Sequence, residues 1–262
     1  MKFEHTQVFN FDGALRGMRN PMNSWDKSDN SLSVYNVYEG DVMPADLLQS
    51  VPDAYITEQH YNIRGRLMSY KPIIIGDNDM ELAQKLIRAG SEHRKFLRQI
   101  FVSVDITAPL FWWKEFDTYK VGTVRNSCST MHKIHVKPFE ESDFTHHGID
   151  AVGGLAKDAL TCLLRTLEYL RIEFNKTHEK KYWRAIIELL PDSYNMRATV
   201  TLNYENLLGM CSKGQRRFHK QNEWSGMDCY EDENFIAWAR QLPYAQQFIF
   251  IDELDGDNNG KN

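Results

Sequence analysis

Two stretches of the chain alternate strictly between apolar and polar residues. In Phe101–Thr107, Val102, Val104 and Ile106 interleave with Ser103, Asp105 and Thr107; in Arg197–Leu202, Ala198, Val200 and Leu202 interleave with Thr199 and Thr201. A period of two turns one face of a strand to a core and the other to solvent, so both stretches are predicted as strands. Shorter strand signals lie at Ser33–Tyr38 and in the isoleucine run of Pro72–Gly76, which also suits a turn. Elsewhere the spacing is helical. Gly13–Met18 suits a short helix, and Met80–Gly90 places Leu82, Ala83, Leu86 and Ile87 on one face, with Gly90 where a C-terminal cap belongs. Leu110–Tyr119 carries Phe111, Trp112, Trp113 and Phe116; Thr107 stands as its N-cap and Pro109 in its first turn. Val152–Phe174 reads as one long amphipathic helix, with Leu155, Leu160, Leu163, Leu164, Leu167 and Leu170 at core spacing. Three further helices are predicted: Lys180–Leu190, stopped by Pro191; Tyr204–Cys211, capped by Asn203; and Glu233–Gln241, ending before Pro243. Val121–Ser129 is poor in helix formers and reads as a loop. The elements are mixed without a β-α-β rhythm, which predicts an α+β fold.

Composition narrows the function classes. The 262 residues suffice for one large domain or two small ones. A net charge of −5 excludes a protein that coats nucleic acid through its bulk field. No apolar run reaches the roughly 18–20 residues of a bilayer span, which removes the membrane class. The opening Met1-Lys2-Phe3-Glu4-His5 has no apolar core of a signal peptide, and the four cysteines (Cys128, Cys162, Cys211, Cys229) form no Cys-x-x-Cys pair, so the expectation is a cytoplasmic protein with reduced thiols. Asp252–Asn262 is acidic and apolar-poor, and reads as a flexible tail. Aromatic residues make up 12% of the chain, enough to fill a core or to stack on a flat ligand.

Hydrogen-bonding residues concentrate in Thr123-Val124-Arg125-Asn126-Ser127-Cys128-Ser129-Thr130. Hydroxyl and amide groups both donate and accept, so such a segment suits a planar polar ligand; an ordinary turn has the same composition. Cys128 is a candidate nucleophile beside Arg125 and His132, although a buried, inert thiol is the commoner state. His132, His135, His146 and His147 lack a carboxylate or cysteine at the spacing of a known metal site, and no metal is expected. Lys213, Arg216, Arg217, His219 and Lys220 form a basic run after a helix, suited to a solvated helix end or to a phosphate clamp, with Arg197 a second candidate anion ligand. No phosphate-binding glycine motif is present.

These segments together resemble the flavin-dependent thymidylate synthase (ThyX) family. The strand followed by Ala108-Pro109-Leu110-Phe111 resembles the family's strand and helix start. Asn126 and Ser129 reproduce the Asn-x-x-Ser core of its signature loop. Leu190-Pro191, Arg197 and Thr201-Leu202-Asn203 resemble a later family stretch at the same spacing. The family's Arg-His-Arg is replaced here by Tyr119-Lys120 and its neighbours, and the closing Arg of the signature falls on Met131. Lysine is a point charge without the guanidinium fork, so this departure changes how phosphate is held.

The resemblance implies a ThyX-like α+β fold, with a central, mostly antiparallel sheet and flanking helices in a single domain over residues 1–251. It implies a homotetramer with FAD at subunit interfaces. The implied activity transfers a one-carbon group to position 5 of a pyrimidine deoxynucleotide (dUMP or related), with methylenetetrahydrofolate and NADPH as co-substrates. Ser129 and Glu115 are then the catalytic candidates. Lys120, Asn126, Arg216 and His219 are the flavin candidates, and Arg125, Ser129 and Arg197 those for the nucleotide. The other reading is a ThyX-fold protein that has lost catalysis and binds a nucleotide or a partner.

Overall fold

The computed structural model describes residues 1–31, 35, 36, 44, 45, 55–61, 63, 67–213, 219–225 and 234–254. In chain order its principal elements are β1 (Lys2–Phe9), α1 (Phe11–Arg19), β2 (Tyr35–Asn36), β3 (Tyr55–Tyr61), β4 (Leu67–Ile73), α2 (Asp77–Arg88), β5 (Phe101–Pro109), α3 (Leu110–Phe116) and β6 (Val124–Ser127). They continue as α4 (His147–Val152), α5 (Gly154–Thr177), α6 (Lys180–Leu189), β7 (Asn195–Asn203), α7 (Tyr204–Cys211), α8 (Asn222–Ser225), α9 (Phe235–Arg240), α10 (Ala245–Phe248) and α11 (Ile251–Leu254). One sheet has the strand order β1-β5-β7-β6; a second has the order β2-β4-β3, with antiparallel pairing.

The alternation in β5 and β7 does what its period dictates: Val102, Val104, Ile106 and Ala108, and likewise Met196, Ala198, Val200 and Leu202, are buried. Two expectations nearby are corrected. The strand β5 runs through Thr107 to Pro109, which stays extended (φ −67°, ψ 153°), so Thr107 is a strand residue and no N-cap. The first N–H groups of α3 are satisfied across the chain instead, Leu110 donating to the Tyr194 carbonyl and Phe111 to that of Asp192. Within the expected loop, Val124–Ser127 is the edge strand β6 beside β7. Its pairing is non-local, which local composition does not reveal.

The chain divides into two compact units. The first comprises Met1–Glu4, Asp105–Lys120 and Arg125–Val200. Its helical part packs around Ile134, Phe144, Leu167 and Ile186. The long helix expected over Val152–Phe174 is α5, Gly154–Thr177; it is set off from α4 where Gly153 and Gly154 take left-handed φ values of 66° and 51° that glycine adopts without a Cβ clash. Leu155, just beyond the break, is 87% exposed instead of lying in the core. Among the residues of α5, Leu160 and Leu167 are buried.

The second unit comprises His5–Val104, Val121–Val124 and Thr201–Asn262. Phe11 of α1 meets Tyr204 edge-on at 5.5 Å and lies nearly parallel to Phe248 at 6.3 Å. The Tyr204 hydroxyl donates to the Pro243 carbonyl at 2.7 Å, and burial pushes its phenol well above the ordinary range. Asn203 caps α7 as expected, accepting from the Asn206 N–H while the Asn206 side chain accepts from the Asn203 N–H. Gly90 closes the turn after α2 with φ 103°, also as expected. The start of α2 is earlier than its apolar spacing indicates. Asp29, from a distant segment, accepts from the N–H groups of Asn78 and Asp79 and so holds the first turn. The acidic end of the chain folds further than predicted: Asp252–Leu254 belong to α11, and Asp252 accepts from the Lys213 N–H.

Candidate functional site

In the first unit α3, β6 and the loop after it, with Asp192 and Met196, line a cleft of about 400 Å³, within the roughly 300–1,000 Å³ usual for small-molecule sites. One aromatic ring, that of Trp113, lines its floor, with Trp112 and Phe116 packed beside it. Trp112, Trp113 and Phe116 lie on the buried face of α3, with Trp112 and Trp113 edge-on at 5.0 Å and Trp112 and Phe116 nearly parallel at 5.2 Å. The Trp113 indole N–H donates to the Met196 carbonyl at 3.0 Å, fixing the ring against β7. Arg125, from β6, lies 4.9 Å from the centre of that ring and pairs with Asp117 at 3.1 Å. Its second terminal nitrogen, Nη1, is buried and has no acceptor among the protein's own atoms.

Beyond Arg125 the wall continues through Ser127, Cys128, Ser129 and Thr130. The Cys128 N–H donates to the Arg197 carbonyl, extending the β6–β7 contact into the loop. Ser129 Oγ accepts from the His132 N–H at 2.9 Å, which fixes its rotamer and leaves its own proton to donate. At the opposite rim Lys114 pairs with Asp192. These two cation–carboxylate pairs leave the named charges balanced.

Of the residues singled out in the sequence, Arg125 and Ser129 are brought together in this cleft, with Cys128 beside them. Cys128 is exposed, not the buried thiol that base composition favours. Asn126 is exposed between Arg125 and Ser127, and the two-residue period of β6 turns it away from the face those neighbours present. Glu115, half-buried on α3, and Lys120, exposed beyond it, are not among the lining residues. Arg197 is exposed and does not line the cleft. Its guanidinium contacts Asp105 at 2.7 Å and Glu4 at 3.7 Å, and the hydrogen bond it donates to Asp105 raises its pKa.

His219 belongs to the second unit and is buried, its ring nearly parallel to Trp224 at 4.1 Å. Arg216 and Arg217 lie outside the described residues, and so does Cys229. Lys213 is docked on α11, its Nζ donating to the Asp252 carbonyl. Among the histidines, His146 meets Glu141 and Asp150, all three ligand atoms lying within 4.8 Å of one another. Asp150 already pairs with Lys157 at 3.2 Å and His146 at 2.7 Å, and these hydrogen bonds, Lys157's first, lower its pKa. An ion-pair cluster accounts for that geometry. The residues that sequence reading missed, Trp113, Lys114 and Asp192, reach the cleft through the non-local tie between α3 and the segment before β7.

No family model matches the sequence, and no curated protein matches it. Among the described residues no helix is long and apolar enough to cross a membrane. Solved structures do match. The crystal structure of thymidylate synthase X (ThyX) from Helicobacter pylori with FAD and dUMP is 14% identical, with a TM-score of 0.55 over 96% of this chain and 98% of that chain. A second crystal structure of the flavin-dependent thymidylate synthase ThyX from Helicobacter pylori, complexed with FAD and dUMP, is 13% identical, with a TM-score of 0.53 over 96% of this chain and 99% of that chain. At such identities the likeness is one of architecture, and it establishes the expected class: the chain has an α+β, ThyX-like fold of antiparallel sheet with flanking helices.

Proposed function

We propose that the first unit's cleft binds a pyrimidine deoxynucleotide, dUMP or a close relative, and that the chain is a divergent flavin-dependent thymidylate synthase-like enzyme that transfers a one-carbon group to position 5 of the base. The observation that carries the nucleotide part is the buried Arg125 Nη1, which has no acceptor, beside the fixed hydroxyl of Ser129 in one aromatic-floored cleft. A buried guanidinium N–H without a partner costs free energy that an acceptor on a ligand recovers. In this reading Arg125 donates to the phosphate and Ser129 donates to a pyrimidine carbonyl. Trp113 holds Arg125 in place from behind. The enzyme part is supported by the shared fold and by the FAD and dUMP in the solved neighbours.

FAD, when bound, supplies hydride chemistry, with methylenetetrahydrofolate and NADPH as the accompanying co-substrates. The described residues of one chain do not fit a complete flavin site. His219 is closed off by Trp224, while Lys120 and Asn126 are exposed side chains outside the cleft. No chemical step is therefore assigned through the flavin, and Glu115 stays a candidate without a derived role. A homotetramer is proposed with it. Leu155 and Tyr169, two heptads apart on α5, are 87% and 57% exposed, and they give that helix an apolar face for a second copy.

Calorimetric titration of the full chain with dUMP tests the nucleotide part. Saturable binding is expected, weakened in Arg125→Ala by about tenfold to a hundredfold and less in Ser129→Ala. A wild-type chain that gives no saturable heat overturns it. The absorption spectrum of the chain mixed with FAD tests the enzyme part: nucleotide binding with no flavin uptake leaves the binding protein that has lost catalysis.

A further inference from the structure

A second cavity, of about 300 Å³, lies within the second unit along one side of α1. Asp12, Leu15, Arg16 and Arg19 line it at helical spacing, and Trp25, Ser28 and Asn30 complete it. Its inner end is a buried ion pair. Arg19, 4% exposed, donates through Nε to Asp79 Oδ1 at 2.5 Å and through Nη1 to the Ser24 carbonyl at 3.3 Å. The other oxygen of Asp79 is already taken, accepting from the Ser28 hydroxyl at 2.6 Å and the Asp29 N–H at 3.2 Å. The Arg19 fork therefore closes on only one carboxylate oxygen, and its Nη2 is buried with no acceptor.

The outer end has a different character. Trp25 is 51% exposed, with its indole N–H held by the Asn20 side chain at 2.8 Å, so the ring is positioned while much of its surface is free. Arg16 adds a second guanidinium, tied to Asp12 only by a 3.5 Å contact between two exposed side chains. Such a contact is worth little and is readily exchanged for a better acceptor.

We propose that this cavity is a binding site for a small aromatic carboxylate, separate from the nucleotide cleft. The ring of the ligand lies against Trp25 and Leu15. Its carboxylate accepts from Arg19 Nη2 and draws Arg16 away from Asp12, giving one oxygen to each guanidinium. A neutral ring of the same size meets the apolar wall but leaves Arg19 as it is. The charge and the ring are thus both required.

The test is a fluorine NMR titration of 4-fluorobenzoate against the full wild-type chain, with 4-fluorobenzyl alcohol as the uncharged counterpart. Saturable shift or broadening is expected for the acid, and at least about tenfold weaker binding for the alcohol. Trp25→Ala and Arg16→Gln replace exposed side chains, so both variants keep the fold, checked by circular dichroism; each is expected to weaken the acid by about tenfold. Ser129→Ala, in the nucleotide cleft, is expected to leave the acid's affinity unchanged. Failure of dUMP to bind does not bear on this site. No saturable signal up to about 10 mM acid, equal binding of acid and alcohol, or undiminished binding in both exposed-site variants would overturn the proposal.

Discussion

Two arginine–aspartate pairs, one in each unit, have the same chemistry and opposite settings. In the second unit, the Arg19 and Asp79 side chains are 5% and 0% exposed and meet at 2.5 Å. In the first, Arg197 is 45% exposed and meets Asp105 at 2.7 Å. The distances are nearly equal, so the difference lies in what happens when one partner is removed. A buried charge that loses its partner has no water to turn to, whereas an exposed one is resolvated at once. The first pair is therefore a constraint on folding, tying α1 to α2 across 60 residues of sequence. The second is an adjustable surface contact.

The largest effect expected from this contrast is that of Asp79→Ala. Removing the carboxylate leaves Arg19 buried without its counter-charge, and also strips acceptors from Ser28 and the Asp29 N–H. A loss of about 3–5 kcal/mol in unfolding free energy is expected, read from urea denaturation. The double substitution Arg19→Met with Asp79→Leu is expected to recover much of it, because the desolvated charges leave together. A single substitution that moves the midpoint no more than a surface change would break the comparison. Next in size is Asn203→Ala, which removes one half of the reciprocal cap on α7. About 1 kcal/mol is expected, by the same measurement.

That cap was legible in the sequence, as was much of the architecture, because alternation in β5 and β7 and the Asn203 start signal are local. Other features were not. The edge strand β6 is built from Val124-Arg125-Asn126-Ser127, whose polar composition matches a loop until β7 is placed beside it. The short helix α4 ahead of Gly153–Gly154 carries no leucine spacing of its own and was not predicted. Asp29 caps α2 from a segment far from it in sequence, and no window around Asp77 contains that signal. The cleft divides in the same way. Arg125 and Ser129 were visible because they share one short segment, whereas Lys114 and Asp192 become neighbours only through the fold.

A smaller effect is expected from acid. The Glu168 carboxyl is held below its usual range, first by the Arg171 guanidinium and, against the opposing effect of burial, also by the Phe139 N–H. A carboxyl with a lowered pKa in the folded chain stabilises it at pH values above the unfolded value of about 4.3 and loses that contribution as pH falls through the folded value. The unfolding midpoint should therefore drop between about pH 5 and pH 3. In Glu168→Gln that part of the drop should be missing, since an amide does not titrate. An unchanged acid limb in the variant would show that Arg171 does not hold Glu168 in solution.

The smallest effect sharpens the contrast most. Arg197 is exposed and its fork is already occupied by Asp105, with Glu4 nearby, and it does not line the cleft. Replacing it by alanine removes a solvated charge from a surface pair, and Asp105 keeps the Thr199 hydroxyl as a donor. The urea midpoint of Arg197→Ala should coincide with that of the wild type, and dUMP should bind it with unchanged affinity. Arg125→Ala, by contrast, should lower the midpoint and weaken dUMP by about tenfold to a hundredfold, since Arg125 packs on Trp113 as well as facing the cleft. If Arg197→Ala instead weakens dUMP as strongly as Arg125→Ala does, the exposed arginine is exchanging Glu4 for phosphate. The nucleotide site would then extend along β7, beyond the cleft drawn from the sequence's polar loop.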